Sequence, residues 1–253
     1  MTRRGMATAS QLIAHRGYAR HYPENTIVAV DAAVDAGATF IEVDVQLSKD
    51  AVPVLFHDRT LKRLCGVDSA VHSLTLTELK QLHPSDTGRF GDRFRDIEIA
   101  TLAEFRTWLK AHADVTAFVE IKRVSIEQFG VEPVLSAAWR ELSPAVRQCV
   151  LISYSLPTLA AARRQGWPRI GAVIDHWRER RQAQMREIRP DFLFCAVDGL
   201  PRFGPLTHDA AQIAVFEIDN PDLAKKLARR GARYIETFAI GEMAAGLRGV
   251  TAS

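Results

Sequence analysis

Cysteine is scarce in this chain: three residues, Cys65, Cys149 and Cys195, in 253. They are odd in number, far apart and form no CxxC pair, so neither a disulfide framework nor a zinc site is expected. They read as small core hydrophobes. A charge excess of either sign is also missing. With 33 Lys and Arg against 30 Asp and Glu, the net charge is +3, too small to imply nucleic-acid binding by composition, though a mildly basic cleft for an anionic substrate remains open. No apolar run approaches transmembrane length, and the start, MTRRGMATASQLIA, is basic without the continuous apolar stretch of a signal peptide. A cytoplasmic enzyme without stable membrane insertion is therefore expected, with Met6 as a candidate true start. GxSxG, P-loop and HExxH motifs are absent, and no Gly-rich fingerprint follows the first apolar run.

Hydrophobic residues make up 47% and charged residues 25%, the balance of a soluble protein able to bury a large core. Short apolar runs alternate with amphipathic stretches. Strands are expected at QLIAHRG, TFIEVDVQL, VPVLFHD, VTAFVEIK, QCVLISYS, RIGAVID, DFLFCAV, QIAVFEID and RYIETF, with helices at TIVAVDAAVDAG, TLAEFRTWLKAHA, VEPVLSAAWREL, LPTLAAARRQG, WRERRQAQMREI and DLAKKLARRG. Strands separated by helices call for a parallel sheet with right-handed crossovers. Eight or nine of them in this length predict an α/β fold, a TIM (β/α)8 barrel spanning residues 1–253 as one domain. A doubly wound open sheet is the alternative. Residues 59–100 are long, polar and turn-rich around one helical piece, TLTELKQL. They are expected to form a small insertion after the third strand, either covering the barrel mouth or running through solvent. Thr75–Glu78, Thr101–Glu104 and Ser125–Gln128 have capping-box spacing, and Asn25 and Thr26 stand where the first helix begins.

Strands of a helix-covered parallel sheet should be apolar on both faces. FIEVDVQL is not. Side chains alternate, so Glu42, Asp44 and Gln46 share one face opposite Val43, Val45 and Leu47, and in FVEIK Glu120 and Lys122 share a face opposite Ile121. With the valines under the helices, the acids point into the barrel, where an unpaired charge is very costly. Three carboxylates from two strand ends suggest a hard divalent cation, Ca2+ or Mg2+, with oxygen ligands. The alternative is an internal salt-bridge cluster in which Arg16 and Lys122 neutralise the acids.

His15 ends the first expected strand and His57 the third, on either side of the acidic strand, and barrel active sites assemble at the carboxyl ends of strands. Two histidines can accept and donate protons in a displacement at phosphorus or a carbonyl. Phosphorus is the better fit, because Arg16 and Lys122 can neutralise phosphate oxygens. Asp58 reads either as an orienting partner of His57 or as a loop cap, and Arg59 as a phosphate contact or a solvated side chain. The other six histidines, at 21, 72, 83, 112, 176 and 208, are expected to be structural or on the surface.

These residues resemble the glycerophosphodiester phosphodiesterase family of bacterial cytoplasmic type. The resemblance lies in His15-Arg16-Gly17 followed by Pro23-Glu24-Asn25-Thr26, in Gly37-Ala38 leading to Glu42-Val43-Asp44-Val45, in Val54 through His57-Asp58, and in Thr101-Leu102 and Glu120-Ile121-Lys122. It is strong over residues 12–60 and 100–123 and faint elsewhere. It implies a TIM barrel that hydrolyses small glycerophosphodiesters, such as glycerophosphocholine or glycerophosphoethanolamine, to sn-glycerol 3-phosphate and an alcohol. Glu42, Asp44 and Glu120 would hold Ca2+ or Mg2+. His15 and His57 would be the general acid and base, with Arg16 and Lys122 on the phosphate and Phe216 as an aromatic wall.

Departures come late in the chain. Phe216-Glu217-Ile218, followed by Asp219 and Asn220, stands where Trp-Thr-Val-Asn is frequent. Ile235-Glu236-Thr237 stands near a usual Ile-Thr-Asp, and Ala100 replaces a frequent proline. They bear on leaving-group preference more than on chemistry. Two other readings stay open at this point: a metal-independent phosphodiesterase resembling phosphoinositide phospholipases, and a noncatalytic barrel that binds glycerophosphodiesters. The choice between the two cations and the oligomeric state are not legible in the sequence.

Overall fold

A computed structural model describes residues 11–249; the basic start and Met6 lie outside the described residues. One sheet contains β1 (Gln11–His15), β2 (Phe40–Leu47), β3 (Pro53–Leu55), β4 (Thr116–Ile121), β5 (Cys149–Ser153), β6 (Ile170–Ile174), β7 (Phe192–Ala196), β8 (Gln212–Phe216) and β9 (Ala232–Thr237). All except β3 are parallel, and they close into an eight-stranded barrel because β1 pairs with both β2 and β9. Helices pack around it, giving the TIM-barrel architecture that the alternation of elements implies.

Local chemistry sets the helix ends. The Oγ1 of Thr26 accepts from the Ala29 amide at 3.2 Å and starts the helix Ile27–Asp35. Thr101 and Glu104 form a reciprocal capping box at the start of Leu102–Ala111, and Thr75 with Glu78 does the same in the insertion. Ser125 does not. It lies inside the helix Arg123–Phe129, buried, with its Oγ accepting from the Leu47 amide at 2.9 Å, so the expected cap is instead a tie between that helix and β2. The helix expected at 177–188 is broken into a 3-10 turn, Trp177–Arg181, and a short helix, Ala183–Ile188. Arg123–Phe129 and a terminal helix, Ile240–Arg248, escaped the periodicity reading.

The expectation that the third strand is a parallel barrel strand is overturned. β3 pairs antiparallel with β2, Val45 opposite Leu55. Only residues 48–52 connect the two, far fewer than a crossover between parallel strands needs. The Oγ of Ser48 accepts from the Val52 amide to tighten this return. β2 thus runs past the rim and β3 brings the chain back to it, so His57 reaches the mouth from outside the barrel wall.

Apolar packing falls into three groups. Outward residues such as Val43, Val45, Ile121, Leu151 and Ile235 pack under the helices. Inward residues Ile13, Phe118, Val150, Phe192, Phe194 and Tyr234 fill the barrel. Within residues 59–100, Leu61, Leu64, Val71, Leu79 and Ile99 form a small cluster with Val54 and Phe56, so the insertion is a packed element and not a solvated excursion. Cys149 and Cys195 sit buried in the main core, and Cys65 is half-buried beside the insertion cluster; all three are free thiols. Among the described residues no helix is long and apolar enough to cross a membrane.

Phe118 is fully buried and meets Phe192, Phe194 and Tyr234 edge to face at centroid distances of 5.0, 5.1 and 6.0 Å. Phe118→Ala would leave a void at the centre of the barrel and should destabilise the protein by ~3–5 kcal/mol, read as a lowered midpoint in urea unfolding. A loss under about 1 kcal/mol would mean that the interior collapses around the gap.

Candidate active site

The polar residues singled out from sequence meet at one end of the barrel. His15, Arg16, Glu42, His57, Glu120, Lys122 and Phe216 line a single cavity of about 100 Å³ together with Ile152, Tyr154, Glu217 and Glu236. Asp44 lies against Arg16 and Lys122, almost wholly buried. Larger hollows exist, including one of about 660 Å³ among Trp177, Arg180 and Phe203. None of the candidate residues lines it, so chemistry and not size marks the site.

The chain leaves β1 abruptly. Arg16 adopts a left-handed backbone (φ 57°) and Gly17 follows at φ 81°. This turn aims the Arg16 amide at Glu42 Oε2, 3.1 Å away, and folds the guanidinium back over the acids, with Nη1 donating to Glu24 Oε1 at 2.9 Å and Nε 3.2 Å from Asp44 Oδ2. A Cβ on Gly17 would lie 2.6 Å from the backbone carbon of Ala29, so helix and turn touch only because glycine is there. Asn25, also left-handed at φ 56°, does not cap the first helix. Its amide group brackets Asp44 instead, donating to Oδ2 and accepting from the Asp44 amide, both at 2.9 Å.

Glu42, Asp44 and Glu120 each offer a carboxylate oxygen within 4.8 Å of the others. Lys122 stands beside them, its Nζ 3.1 Å from Asp44 Oδ1 and 2.9 Å from Glu120 Oε1. Burial would raise the Asp44 carboxyl, but Lys122 and Arg16 hold it far below the usual carboxylate range. Glu42 goes the other way, pushed well above 4.5 by burial and by Asp44, Glu236 and Glu120 around it. Burial, then Arg16, His57 and Lys122, keep His15 well below its usual 6.5, so it stands uncharged near neutral pH. Its ring stacks on Phe238 at 4.5 Å, with Nε2 3.7 Å from Glu42.

His57 is set by a second chain of contacts. Gln46, the last inward residue of β2, donates to the carbonyls of Phe56, His57 and Asp58 at 3.0, 3.1 and 2.7 Å. Asp58 is 2.9 Å from His57 Nδ1, which favours the orienting role over a loop cap. Arg63 of the insertion grips both oxygens of Asp58, at 2.7 and 2.9 Å, and both oxygens of Glu24, at 3.0 and 2.8 Å. One guanidinium therefore ties the His57 loop to the carboxylate that also holds Arg16. Arg59 turns away to an exposed ion pair with Glu127.

The acids outnumber the bases that face them. Glu42, Asp44, Glu120 and Glu236 are all buried here, against Arg16 and Lys122. Glu42 Oε1 and Glu236 Oε1 have no hydrogen-bond partner among the described residues. Orphaned carboxylate oxygens and a surplus of negative charge fit a hard divalent cation. Glu24 and Glu236 were picked out from sequence only as parts of longer motifs, without a role at the site, and Arg63 was not picked out at all. Glu236 carried a readable signal, since a charged residue at an inward position of RYIETF breaks the strand rule as Glu42 does; Arg63 in its polar insertion carried none.

Comparison with known proteins identifies the family. The model of the glycerophosphoryl diester phosphodiesterase family matches residues 15–167, and the chain belongs to that family. It is 30% identical to glycerophosphodiester phosphodiesterase 1 of Rattus norvegicus over 194 residues, 76% of this chain and 53% of that one. With the glycerophosphodiester phosphodiesterase of Caldanaerobacter subterraneus subsp. tengcongensis it shares 40% identity over 131 residues, 51% of this chain and 52% of that one. The chain thus aligns with about half the length of these curated relatives. In fold it is similar to an Oleispira antarctica phosphodiesterase solved with the product sn-glycerol-3-phosphate, at TM-score 0.82 and 22% identity over 95% of this chain and 97% of that one.

Gly17→Ala combines a positive φ with a backbone clash and should lower stability by more than about 1 kcal/mol, with a matching fall in melting temperature; an unchanged melting temperature would refute the packing argument. A second outcome concerns pH. Burial and then Glu120 raise Glu236 well above 4.5, so in metal-free protein it stays protonated while its unfolded counterpart ionises. Its contribution to stability is full below about 4.5 and is lost as pH rises toward its folded value. Urea unfolding in EDTA should therefore show Glu236→Gln gaining on wild type as pH rises, with a slope of at most ~1.4 kcal/mol per pH unit. A pH-independent difference would show that Glu236 ionises normally.

Proposed function

We propose that this chain is a cation-dependent glycerophosphodiester phosphodiesterase that releases sn-glycerol 3-phosphate and a free alcohol. The observation that carries this reading is the meeting, at one small cavity, of a buried histidine, a carboxylate-backed histidine, two fixed cations and two carboxylates, Glu42 and Glu120, with Asp44 close beside them. Glu42, Asp44 and Glu120 would hold a Ca2+ or Mg2+ ion, which would supply positive charge to offset that of the phosphate.

The protein groups divide the remaining work. Arg16 and Lys122 are anchored by Glu24, Asp44 and Glu120 and offer charge-assisted hydrogen bonds to the phosphate without reorganising. His15 takes the proton of the glycerol hydroxyl next to the diester as that oxygen bonds to phosphorus. His57, steadied by Asp58, gives a proton to the departing alcohol as its P–O bond breaks. Water then opens the cyclic phosphate, with the two histidines exchanging roles, and sn-glycerol 3-phosphate results. Phe216 and Tyr154 offer apolar walls to the leaving group. The half-exposed Glu217, 3.9 Å from His15, suits cationic alcohols such as choline or ethanolamine.

The test is release of sn-glycerol 3-phosphate from glycerophosphocholine by purified protein with Ca2+, with Mg2+ and with EDTA. Cation-dependent release, abolished by EDTA and by Glu42→Ala, is expected. His15→Ala and His57→Ala should each lower turnover by ~10²–10⁴-fold with unfolding midpoints near wild type. Undiminished activity in EDTA would favour metal-independent chemistry, and a near-wild-type rate for His57→Ala would remove it from the mechanism.

A further inference from the structure

β9 contributes a carboxylate that the family resemblance did not supply. Glu236 is 3% exposed, and its Oε1 has no hydrogen-bond partner among the described residues. It projects into the same cavity as Glu42. Glu42 is the shared member of two sets: one of its oxygens lies within 4.8 Å of Asp44 and Glu120, and one lies within 4.8 Å of Glu236 and His15. Glu42 Oε1 is orphaned as well. Two buried carboxylates with unpartnered oxygens at this distance repel unless a proton or a cation stands between them.

The neighbouring bases are committed elsewhere. Asp44 takes Arg16 and Lys122, Glu120 takes Lys122, and Glu24 takes Arg16. On the Glu236 side no lysine or arginine side chain among the described residues forms an ion pair with either orphaned oxygen. Glu42 and His15 lie beside Glu236, Glu120, Asp44 and Glu217 add to the negative charge around it, and Arg16 offsets part of it.

We propose that Glu236 is a fourth carboxylate of the cation site, completing it from the β9 side through Glu42, and that it biases the site toward Ca2+ over Mg2+. This rests on the reading of Glu42, Asp44 and Glu120 as cation ligands. The bias follows from coordination chemistry. Ca2+ accepts six to eight oxygens in loose geometry, whereas Mg2+ demands a tight octahedron and keeps several waters. An extra anionic oxygen rewards the larger ion and adds little for the smaller one. His15 stays outside the ligand set, since a ligated ring nitrogen could not also accept a proton.

The experiment is isothermal titration calorimetry of the full chain with Ca2+ alone and with Mg2+ alone, on wild type, Glu236→Gln and Glu42→Gln. Glutamine keeps the size of the side chain, and an EDTA melting temperature for Glu236→Gln at or above wild type shows that it folds. Wild type should bind one Ca2+, and Glu236→Gln should weaken that affinity by ~10–100-fold, the range seen when groups supporting a metal site are removed. The Mg2+ affinity should fall by a smaller factor. If Glu42→Gln loses Ca2+ while Glu236→Gln binds it like wild type, Glu236 shares a proton with Glu42 and the inference fails alone. An equal loss for both ions removes the bias toward Ca2+. Two Ca2+ per chain, one of them lost in Glu236→Gln, would make Glu236 part of a separate site and overturn the single-site form. If wild type binds neither cation, the reading beneath it fails too.

Discussion

Everything at the mouth of this barrel follows from placing more carboxylates inside than the protein can neutralise. An inward acid on a parallel strand meets neither water nor a helix, and its charge has to be met by groups at the rim. Asp44 is the best served, with Arg16, Lys122 and Asn25 all directed at it, and it is held ionised. To reach it, the chain after β1 must reverse within two residues, which accounts for the left-handed Arg16 and the glycine behind it. Lys122 reaches it from the first residue past β4. The two strand ends are thereby tied to one carboxylate, and the cations that would meet a phosphate are fixed before any ligand arrives.

The same logic extends outward. Arg16 needs Glu24 as well as Asp44, and Glu24 is itself buried. Burial would raise its pKa, yet Arg63 and Arg16 hold it below 4.5. Arg63 comes from the insertion, whose small apolar cluster packs on Val54 and Phe56 just before His57. The insertion therefore does two things at once: it packs the strand that returns His57 to the rim, and it supplies the guanidinium that couples Asp58 to Glu24. Because His57 sits on a return loop and not on a barrel strand, its position depends on Gln46 from below and on Arg63 from outside. Each contact is polar and specific, and neither is interchangeable with apolar packing.

Much of this was legible in the sequence because its signals were local. Alternation in FIEVDVQL and FVEIK gave the inward faces of β2 and β4, and capping boxes at Thr75 and Thr101 marked helix starts correctly. The misreading of β3 was avoidable: a five-residue connection to β2 forces a hairpin, whatever the apolar pattern says. Ser125 shows the opposite case, since its capping spacing is real but its hydroxyl serves a strand amide 78 positions away in sequence. Asn25, Glu24 and Arg63 act through partners distant along the chain, and no spacing rule connects them. Glu236 was visible as a charge at an inward strand position, but the family pattern offered no role for it and so it was passed over.

The surplus of acid also sets how stability and function are related. Without a cation, Glu42 and Glu236 are held toward their protonated forms by burial and mutual repulsion, and folding must oppose their tendency to ionise. A cation bound only by the folded state would reverse this, favouring the ionised carboxylates and stabilising the fold increasingly as the ion's concentration exceeds its Kd. Binding should then release protons and strengthen with pH until the acids are fully ionised. Arg16 and Lys122 cannot play that part, because each is already shared between two carboxylates and neither reaches the orphaned oxygens of Glu42 and Glu236. An internal salt-bridge cluster and the proposed cation site are thus compatible descriptions of these residues. The salt bridges account for Asp44, Glu24 and half of Glu120, and what they leave unpaired is where the proposed divalent ion would be held.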